Sequence, residues 1–264
     1  MLRPRIIPCL LVRNKGLVKT LKFGPSKYVG DPINAVKIFN EKKADELIVL
    51  DIDATANGTP PDFVMIQKLA AECRMPLCYG GGVTTVEQAK RIIGLGVEKV
   101  SISAAALDDP MLISAIAAEI GGQSVVVVID VKKNFFGKYE VHTHNGQKPT
   151  GRTPVEVARE AEKFGAGEIV INSIDNDGQM KGYDLDLAAK VREAIHLPMS
   201  VLGGAGSLAD LGRLIRRCGV VGASAGSLFV FKGTYRAVLI NYPDQAQKED
   251  IYRSAMNERF NSKK

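Results

Sequence analysis

The sequence predicts a single α/β domain folded as a (β/α)8 TIM barrel built from two similar halves. Eight short β-branched segments alternate with helical patterns along the 264 residues. These segments are continuous apolar runs, which indicates strands buried on both faces and therefore parallel pairing beneath covering helices. Eight strand–helix units joined by short links fit a closed barrel better than an open sheet. An internal repeat of about half the chain length supports duplication.

Start signals for helices stand between the predicted strands. Asp31 and Asp109 each precede a proline, which puts a capping carboxylate before a favoured first helical residue. Capping-box spacing occurs twice, at Thr84 with Glu87 and at Thr153 with Glu156. The predicted strands occupy residues 5–12, 46–53, 76–79, 98–103, 124–130, 168–173, 198–202 and 220–224.

Three segments interrupt this regular alternation. Residues 13–30, rich in Lys and Gly, are expected to form a mobile loop over the top of the barrel. The alternating pattern within 132–152 predicts a small hairpin. The barrel is expected to fill residues 1–244, and the charged tail at 245–264 is expected to be a surface helix or a frayed end.

The internal repeat consists of four pairs of similar segments in the same order. LIVLDID at 47–53 matches IVINSID at 169–175, and Gly80, Gly81 and Gly82 match Gly203, Gly204 and Gly206. KVSISAAAL resembles VVGASAGSLF, and IIPCLLV resembles VVVVIDV. Two half-barrels of four strand–helix units each explain all four pairs.

Composition narrows the class of function. The chain is 45% hydrophobic and 24% charged, as in soluble globular proteins, and no apolar run is long enough for a membrane helix. The N-terminal residues do not match the pattern of a secretory signal, so we expect a cytoplasmic protein. Its net charge is +6, but the basic residues are scattered and aromatics are only 6%. Anionic small molecules are therefore favoured over nucleic acid as partners.

The cysteines and histidines point to neither a metal nor a cofactor. None of the four cysteines has CxxC spacing, and we expect reduced thiols packed in the core. His142 and His144 would share one face of a hairpin strand, but no third ligand is evident, and His196 is expected at the surface. The cysteines are Cys9, Cys73, Cys78 and Cys218.

Two glycine clusters follow strands on opposite sides of the predicted barrel. Sites in such barrels lie at the C-terminal ends of the strands, where GGGV at 80–83 and GGAG at 203–206 each precede a helix. Glycine lets backbone N–H groups approach an anion, and a helix N-terminus favours negative charge. The pair predicts a substrate with a phosphate at each end.

Acid–base chemistry is predicted at Asp130. It ends the apolar strand VVVVID, where partial burial would raise its pKa towards neutrality. Its counterpart in the repeat is Leu11, which cannot transfer a proton. Asp177 is a second candidate catalytic residue, through contact with the substrate. Asp51 is a weaker candidate for substrate contact, and Asp175 is expected to hold a loop.

Charged residues also occur at the N-terminal ends of predicted strands, on the face of the barrel opposite the glycine clusters. Arg5, Glu46, Lys99 and Glu168 begin the first, second, fourth and sixth strands. Two acidic and two basic side chains could form a neutral ring across the barrel floor. Such a ring would be retained, because breaking a buried ion network leaves unpaired charge that is unfavourable.

The motifs resemble those of a known family. RIIPCL, GDP at 30–32, DELIVLDI, GGGV, KVSI, VVVVID, GAGEI, SIDNDG, KGYD and GGAG resemble, in order over about residues 3–232, the cyclase subunit of imidazole glycerol phosphate synthase. The resemblance implies a (β/α)8 barrel that receives ammonia from a glutaminase docked at its floor. At the top, the ammonia reacts with a bisphosphorylated substrate to give imidazole glycerol phosphate and an aminoimidazole carboxamide ribotide.

The resemblance also implies roles for particular residues. Arg5, Glu46, Lys99 and Glu168 become the gate for ammonia, Asp130 a catalytic carboxylate and Lys19 a substrate contact from the first loop. One phosphate site would lie at Gly82 and Ser103. The residues implied for the other are Asp177, Gly178, Gly204, Gly226 and Ser227.

Two departures affect the top of the barrel. Leu11 stands where the family has a catalytic aspartate, and Ser103-Ala104 replaces its Asn-Thr pair. The pattern resembles paralogues of surface-polysaccharide pathways, which supply ammonia to an amidotransferase that makes an acetamidino sugar. We therefore predict an ammonia-delivering, cyclase-like subunit whose own cyclase activity is in doubt. The alternatives are a histidine-pathway cyclase and a non-catalytic scaffold that activates the glutaminase.

Overall fold

The computed structural model describes residues 3–261 and confirms the (β/α)8 barrel. Eight parallel strands pair in the order β1, β4, β5, β6, β7, β10, β11 and β12, and β12 pairs with β1 to close the barrel. Each predicted strand is present, with ends that move by up to three residues. The strands are β1 (Arg5–Arg13), β4 (Leu47–Asp51), β5 (Leu77–Gly80), β6 (Lys99–Ile102), β7 (Val125–Lys133), β10 (Glu168–Ser173), β11 (Met199–Leu202) and β12 (Gly222–Ala225).

Helices cover the outside of the barrel. The longer ones between strands are α1 (Pro32–Glu41), α3 (Phe63–Glu72), α4 (Val86–Gly94), α6 (Met111–Ile120), α7 (Pro154–Lys163), α8 (Leu185–Ala194) and α9 (Leu208–Cys218). Four short helices lie at strand ends, namely α2 (Ala54–Asn57), α5 (Ala104–Asp108), the 3-10 turn Gly122–Ser124 and α10 (Ser227–Val230). Among the described residues, no helix combines the length and apolar character needed to span a bilayer.

Two of the predicted helix caps were correct and two were displaced by one residue. Asp31 caps α1, and Thr153 forms the predicted capping box on α7. At α4 the box uses Thr85 with Gln88, because the Gln88 side chain accepts from the Thr85 N–H and the Thr85 hydroxyl accepts from the Gln88 N–H. At α6 the N-cap residue is Pro110. The carboxylate of Asp109, the residue before it, accepts from the N–H of Met111.

The segment at 13–30 is an ordered ribbon, which corrects the prediction of a loop. β2 (Gly16–Lys19) pairs antiparallel with the end of β1, and β3 (Lys27–Gly30) pairs with β2. β1 extends beyond the barrel far enough to template this pairing. The predicted hairpin at 132–152 is confirmed, because β7 pairs with β8 (Tyr139–Thr143), which pairs with β9 (Lys148–Pro149).

The core has two layers. A large outer cluster fills the space between the strands and the helices. A smaller cluster fills the barrel interior, and Leu11 and Leu50 pack on it from above. The inner cluster consists of Ile7, Cys9, Ile48, Cys78, Val126, Val128, Val170 and Leu202. The axis of the barrel is therefore apolar over its middle section.

The charged tail forms α11 (Gln245–Asn261), which follows the small ribbon of β13 (Phe231–Lys232) and β14 (Ala237–Val238). The helix packs against α9 and reaches the floor side of the barrel, where Lys248 binds Asp45. Helix is the first of the two alternatives predicted for this segment, and residues 262–264 lie outside the described range.

The displaced box gives a test of the local structure. Thr85→Ala removes the side chain that accepts from the Gln88 N–H, so we expect a loss of about 1 kcal/mol in the free energy of unfolding. Thr84→Ala is the matched control and should stay within about 0.5 kcal/mol of the parent. Chemical denaturation measures both, and equal losses would contradict the assigned cap.

Candidate functional site

A cavity of about 150 Å³ opens at the C-terminal ends of the strands. It brings together residues from both halves of the barrel and from the β2–β3 ribbon. The residues predicted for the site that line it are Leu11, Lys19, Gly82, Ser103, Asp130, Asp177, Gly226 and Ser227. Gly178 and Gly204 do not belong to this lining.

Asp130 is the acid–base group of the cavity. It lies on β7 opposite Asn172 of β10, whose side-chain amide donates to it at 2.9 Å. Burial raises the pKa of Asp130 to about 7, against the Asn172 hydrogen bond and with a further contribution from Asp177. The carboxyl group can therefore exchange a proton with a substrate near neutral pH.

The end of the ribbon is fastened over the cavity. Lys19 is buried, and its ammonium donates to the Cys9 carbonyl at 2.7 Å. The Thr20 hydroxyl donates to Asp177 at 3.0 Å, and the Lys22 N–H donates to the Asp177 carbonyl. Burial lowers the pKa of Lys19 and raises that of Asp177, although each group opposes the shift of the other.

Leu11 lies at the mouth of the cavity as an apolar group. It is half-buried between Val18 of the ribbon and Leu50 of the neighbouring strand. Besides Asp130, the acids that line the cavity are Asp51 and Asp177. Asp51 accepts from two N–H groups of the chain that follows it, so it acts as a local cap. Leu11 therefore contributes no proton-exchanging group to the mouth of the cavity.

The two glycine clusters differ in what they contribute. Gly82 has a positive φ of 72°, and a side chain there would meet the Thr59 carbonyl at 2.4 Å. Ser103 immediately precedes α5, while Gly226 and Ser227 lie where α10 begins. Helix starts leave unpaired N–H groups that suit anions. The cavity therefore has a candidate phosphate site on each side.

Gly178 and Gly204 lie behind the cavity wall. A side chain at Gly178 would meet the Thr20 carbonyl at 2.3 Å, because the ribbon covers this turn. One at Gly204 would meet the Gly182 carbonyl at 2.1 Å. Both glycines are needed for close backbone packing, and the structure does not bring them into the lining.

The four predicted floor residues form a closed ring of ion pairs. Arg5 binds Glu46 and, at 2.7 Å, Glu168, while Lys99 binds Glu46 at 2.8 Å and Glu168 at 2.9 Å. Ser200 donates to Glu168 at 2.6 Å. Burial alone would lower the pKa of Arg5 and Lys99, but the carboxylates raise both. The four side chains therefore form a closed ring of ion pairs across the floor of the barrel.

The interior between ring and cavity also contains polar atoms of residues that the sequence analysis did not single out. The hydroxyls of Ser101 and Ser224 and the amide oxygen of Asn172 are buried without a nitrogen or oxygen partner among the described residues. Ser101 lies on β6 two residues after Lys99, and Ser103 of the cavity lining follows the end of that strand. The spacing Lys-x-Ser-x-Ser was the available signal for Ser101.

The remaining candidates have structural roles. Asp175 accepts from the Lys133 N–H and holds the base of the hairpin. His142 contacts the Gly146 carbonyl, whereas His144 follows the end of β8 with φ 52°, so the two do not share a strand face. His196 is exposed. Cys9, Cys78 and Cys218 are buried, Cys73 is half-buried, and all four are free thiols. In residues 3–261, no three His, Cys, Asp or Glu residues are grouped to hold a metal ion.

Comparison with known proteins gives consistent matches. The family model "Histidine biosynthesis protein" matches residues 5–236. A Vibrio vulnificus protein named "Putative imidazole glycerol phosphate synthase subunit hisF3" is 57% identical over 250 residues, which cover 94% of this chain and 96% of that protein. A Leptospira interrogans protein with the same name but the suffix HisF is 57% identical over 253 residues, or 96% and 100%. "Imidazole glycerol phosphate synthase subunit HisF" of Chlorobium luteolum is 40% identical over 232 residues, or 88% and 92%.

The raised pKa of Asp130 predicts how stability depends on pH. Between about pH 4 and pH 7 the folded state keeps a proton that the unfolded state loses, so folding is weakened by up to about 4 kcal/mol as pH rises. Asp130→Asn cannot ionise. Its free energy of unfolding relative to the parent should therefore rise across this window and level off above pH 7. A difference that is constant with pH in urea denaturation would contradict the assignment.

Proposed function

The chain belongs to the histidine biosynthesis protein family, and from that premise we propose that it is the cyclase-type barrel subunit of a glutamine-dependent complex. Its partner is a glutaminase subunit bound at the floor, and its cavity takes a phosphorylated small molecule. The observation that carries the proposal is the ion-pair ring at the floor, directly below an apolar interior and a cavity with an acid–base group. We place the complex in the cytoplasm, where glutamine is available to the partner.

Ammonia from the partner would enter through the ring. Its two carboxylates are buried, whereas the side chains of Arg5 and Lys99 are 28% and 13% exposed. Lys99 can move outward because a lysine side chain is a flexible stem bearing one charge. Neutral ammonia would then pass the apolar section and find hydrogen-bonding partners at the Ser101 hydroxyl and the Asn172 amide oxygen, which have no nitrogen or oxygen partner among the described residues.

Chemistry at the cavity would centre on Asp130. With a pKa near 7, its carboxyl group can accept a proton from ammonia as the nitrogen attacks an electrophilic carbon, and return it to a leaving group. Gly82 with Ser103 and Gly226 with Ser227 would hold the phosphates, and Lys19 would neutralise part of their charge. Asp177 holds the ribbon that brings Lys19 there. We assign Gly178 and Gly204 a supporting role in the backbone behind this second phosphate site.

We further propose that the chemistry is diverted from imidazole closure to formation of an acetamidino group on a surface-polysaccharide sugar by an associated sugar amidotransferase. Leu11 supports this, because a two-carboxylate mechanism lacks its second group here. Identity is also higher to the relative named hisF3 than to the relative of Chlorobium luteolum, 57% against 40%. A histidine-pathway cyclase is the second candidate, favoured by the retained phosphate sites. A non-catalytic scaffold is the third.

Restoring the missing carboxylate separates the first two candidates. The parent should not turn over the bisphosphorylated histidine intermediate with ammonium salt, and Leu11→Asp should raise this rate by about 10²-fold or more, the usual contribution of one acid–base group. Leu11→Asn is the matched control, since it is polar but cannot exchange a proton. Product formation is followed by mass spectrometry. Rapid turnover by the parent would exclude the diverted function.

Changing the ring separates a conduit from a scaffold. Lys99→Met leaves Arg5 alone with two buried carboxylates, so the variant should lose about 3 kcal/mol of stability and bind the glutaminase as before. The share of glutamine nitrogen that reaches product should fall, while use of added ammonium is unchanged. Lys99→Arg should recover part of the coupling. A scaffold would be indicated if the transferred share stayed at the parent value.

A further inference from the structure

The carboxylate of Asp45 joins the C-terminal helix to the floor of the barrel. Asp45 lies two residues before β4, and its carboxylate accepts three hydrogen bonds from two parts of the chain. The donors are the Ile6 N–H at 2.9 Å, the Lys248 ammonium at 2.7 Å and the Tyr252 hydroxyl at 3.0 Å. Two of these donors belong to α11 and one to β1, so the carboxylate links the helix to two barrel strands.

Tyr242 strengthens the same connection through hydrogen bonds to the backbone. The Tyr242 hydroxyl donates to the Ile6 carbonyl at 2.8 Å and accepts from the Asp45 N–H at 3.1 Å. The N–H and carbonyl of Ile6 and the N–H of Asp45 are thus all bound within this cluster. The ring of Tyr242 packs against Phe39 and Phe229, which prevents the hydroxyl from moving away.

These backbone groups belong to neighbours of ring residues. Ile6 follows Arg5, and Asp45 precedes Glu46, so the cluster binds the N–H of the Arg5–Ile6 peptide and both the N–H and the side chain of the residue before Glu46. The Arg5–Glu46 ion pair therefore spans two backbone positions that the cluster holds in register. Small displacements matter here, because a mispositioned group about 1 Å away can lose most of its effect.

The rest of the ring is held differently. The Ser200 hydroxyl donates to the Glu168 carboxylate, whereas the ion pairs of Lys99 in the described chain are those with Glu46 and Glu168. Arg5 and Glu46 thus have sequence neighbours bound in the Asp45 cluster, and Glu168 has Ser200, whereas the Lys99 ammonium is held by ion pairs within the ring. On the proposed role of the ring, Lys99 would be the side chain that moves when the gate opens.

Lys248 is buried where α11 meets the floor of the barrel. Its side chain is only 6% exposed, and its ammonium also contacts the Lys43 carbonyl and lies 5.4 Å from the centre of the Tyr242 ring. Removing this ammonium would take the ion-pair partner from the Asp45 carboxylate and weaken the contact between α11 and the floor.

We propose that Asp45 and Lys248 are positioning residues for the floor ring, through which the C-terminal helix keeps the Arg5 and Glu46 side of the gate in register. The inference rests on the proposed role of the ring in admitting ammonia. It extends that role to residues outside the ring, and it gives α11 a purpose beyond covering the barrel.

The test compares Lys248→Met with a matched variant in the full chain bound to its glutaminase. Lys90→Met is the control, since Lys90 pairs with Glu119 and joins α4 to α6 on the outside of the barrel. Lys248→Arg tests rescue by a retained charge. One measurement is the nuclear magnetic resonance signal of the Arg5 side-chain Nε–H and its rate of hydrogen exchange. The other is the share of glutamine nitrogen that escapes as free ammonia.

We expect Lys248→Met to speed exchange at Arg5 and to raise the escaping share by about tenfold, as expected for loss of positioning. Lys248→Arg should restore both, and Lys90→Met should change neither. A lower melting temperature for Lys248→Met with unchanged exchange and unchanged escape would overturn the proposal. If the parent itself releases all of its ammonia, the proposed function fails, and Arg5 exchange alone then decides whether the helix positions the ring.

Discussion

The floor of this barrel depends on four buried or half-buried charges that neutralise one another. Desolvation opposes burying each of them, and the alternation of two cations with two carboxylates is what makes the arrangement tolerable. Above the ring, the middle of the barrel is filled by apolar side chains. Beyond them lies the cavity, where burial raises the pKa of Asp130.

At the top of the barrel, burial and neighbouring charges again compete to shift the pKa of a carboxyl group, but there burial has the larger effect. At the floor, Arg5 and Lys99 lower the pKa of Glu168 despite its burial. At the top, Asp130 has an amide for a neighbour instead of a cation, so burial prevails and its pKa rises. The Lys19 ammonium donates to the Cys9 carbonyl, and its charge interacts with that of Asp177. The barrel therefore contains a ring of ion pairs at its floor and, at its top, a carboxyl group that can exchange a proton near neutral pH.

Leu11 places an apolar side chain at the mouth of the cavity. Its neighbours in β2 and β4 are those expected of an ordinary strand position, so the substitution alters the chemistry of the cavity without altering the barrel. The ring, by contrast, retains all four charges. Fold and floor are thus compatible with ammonia handling, while the catalytic end is open to a different reaction.

The sequence by itself determined the barrel, because continuous apolar strands, capped helices and an internal repeat leave few alternative ways to bury the apolar faces. It also identified the four ring residues and Asp130, since charges at strand entrances and a carboxyl at a strand exit can be read from position alone. Tertiary structure decided which glycines face the cavity. It also decided that residues 13–30 pair as a ribbon and that Asp45 receives a helix from about 200 positions away in the sequence. Those outcomes depend on contacts between groups that are far apart in the sequence, and local sequence patterns do not specify such contacts.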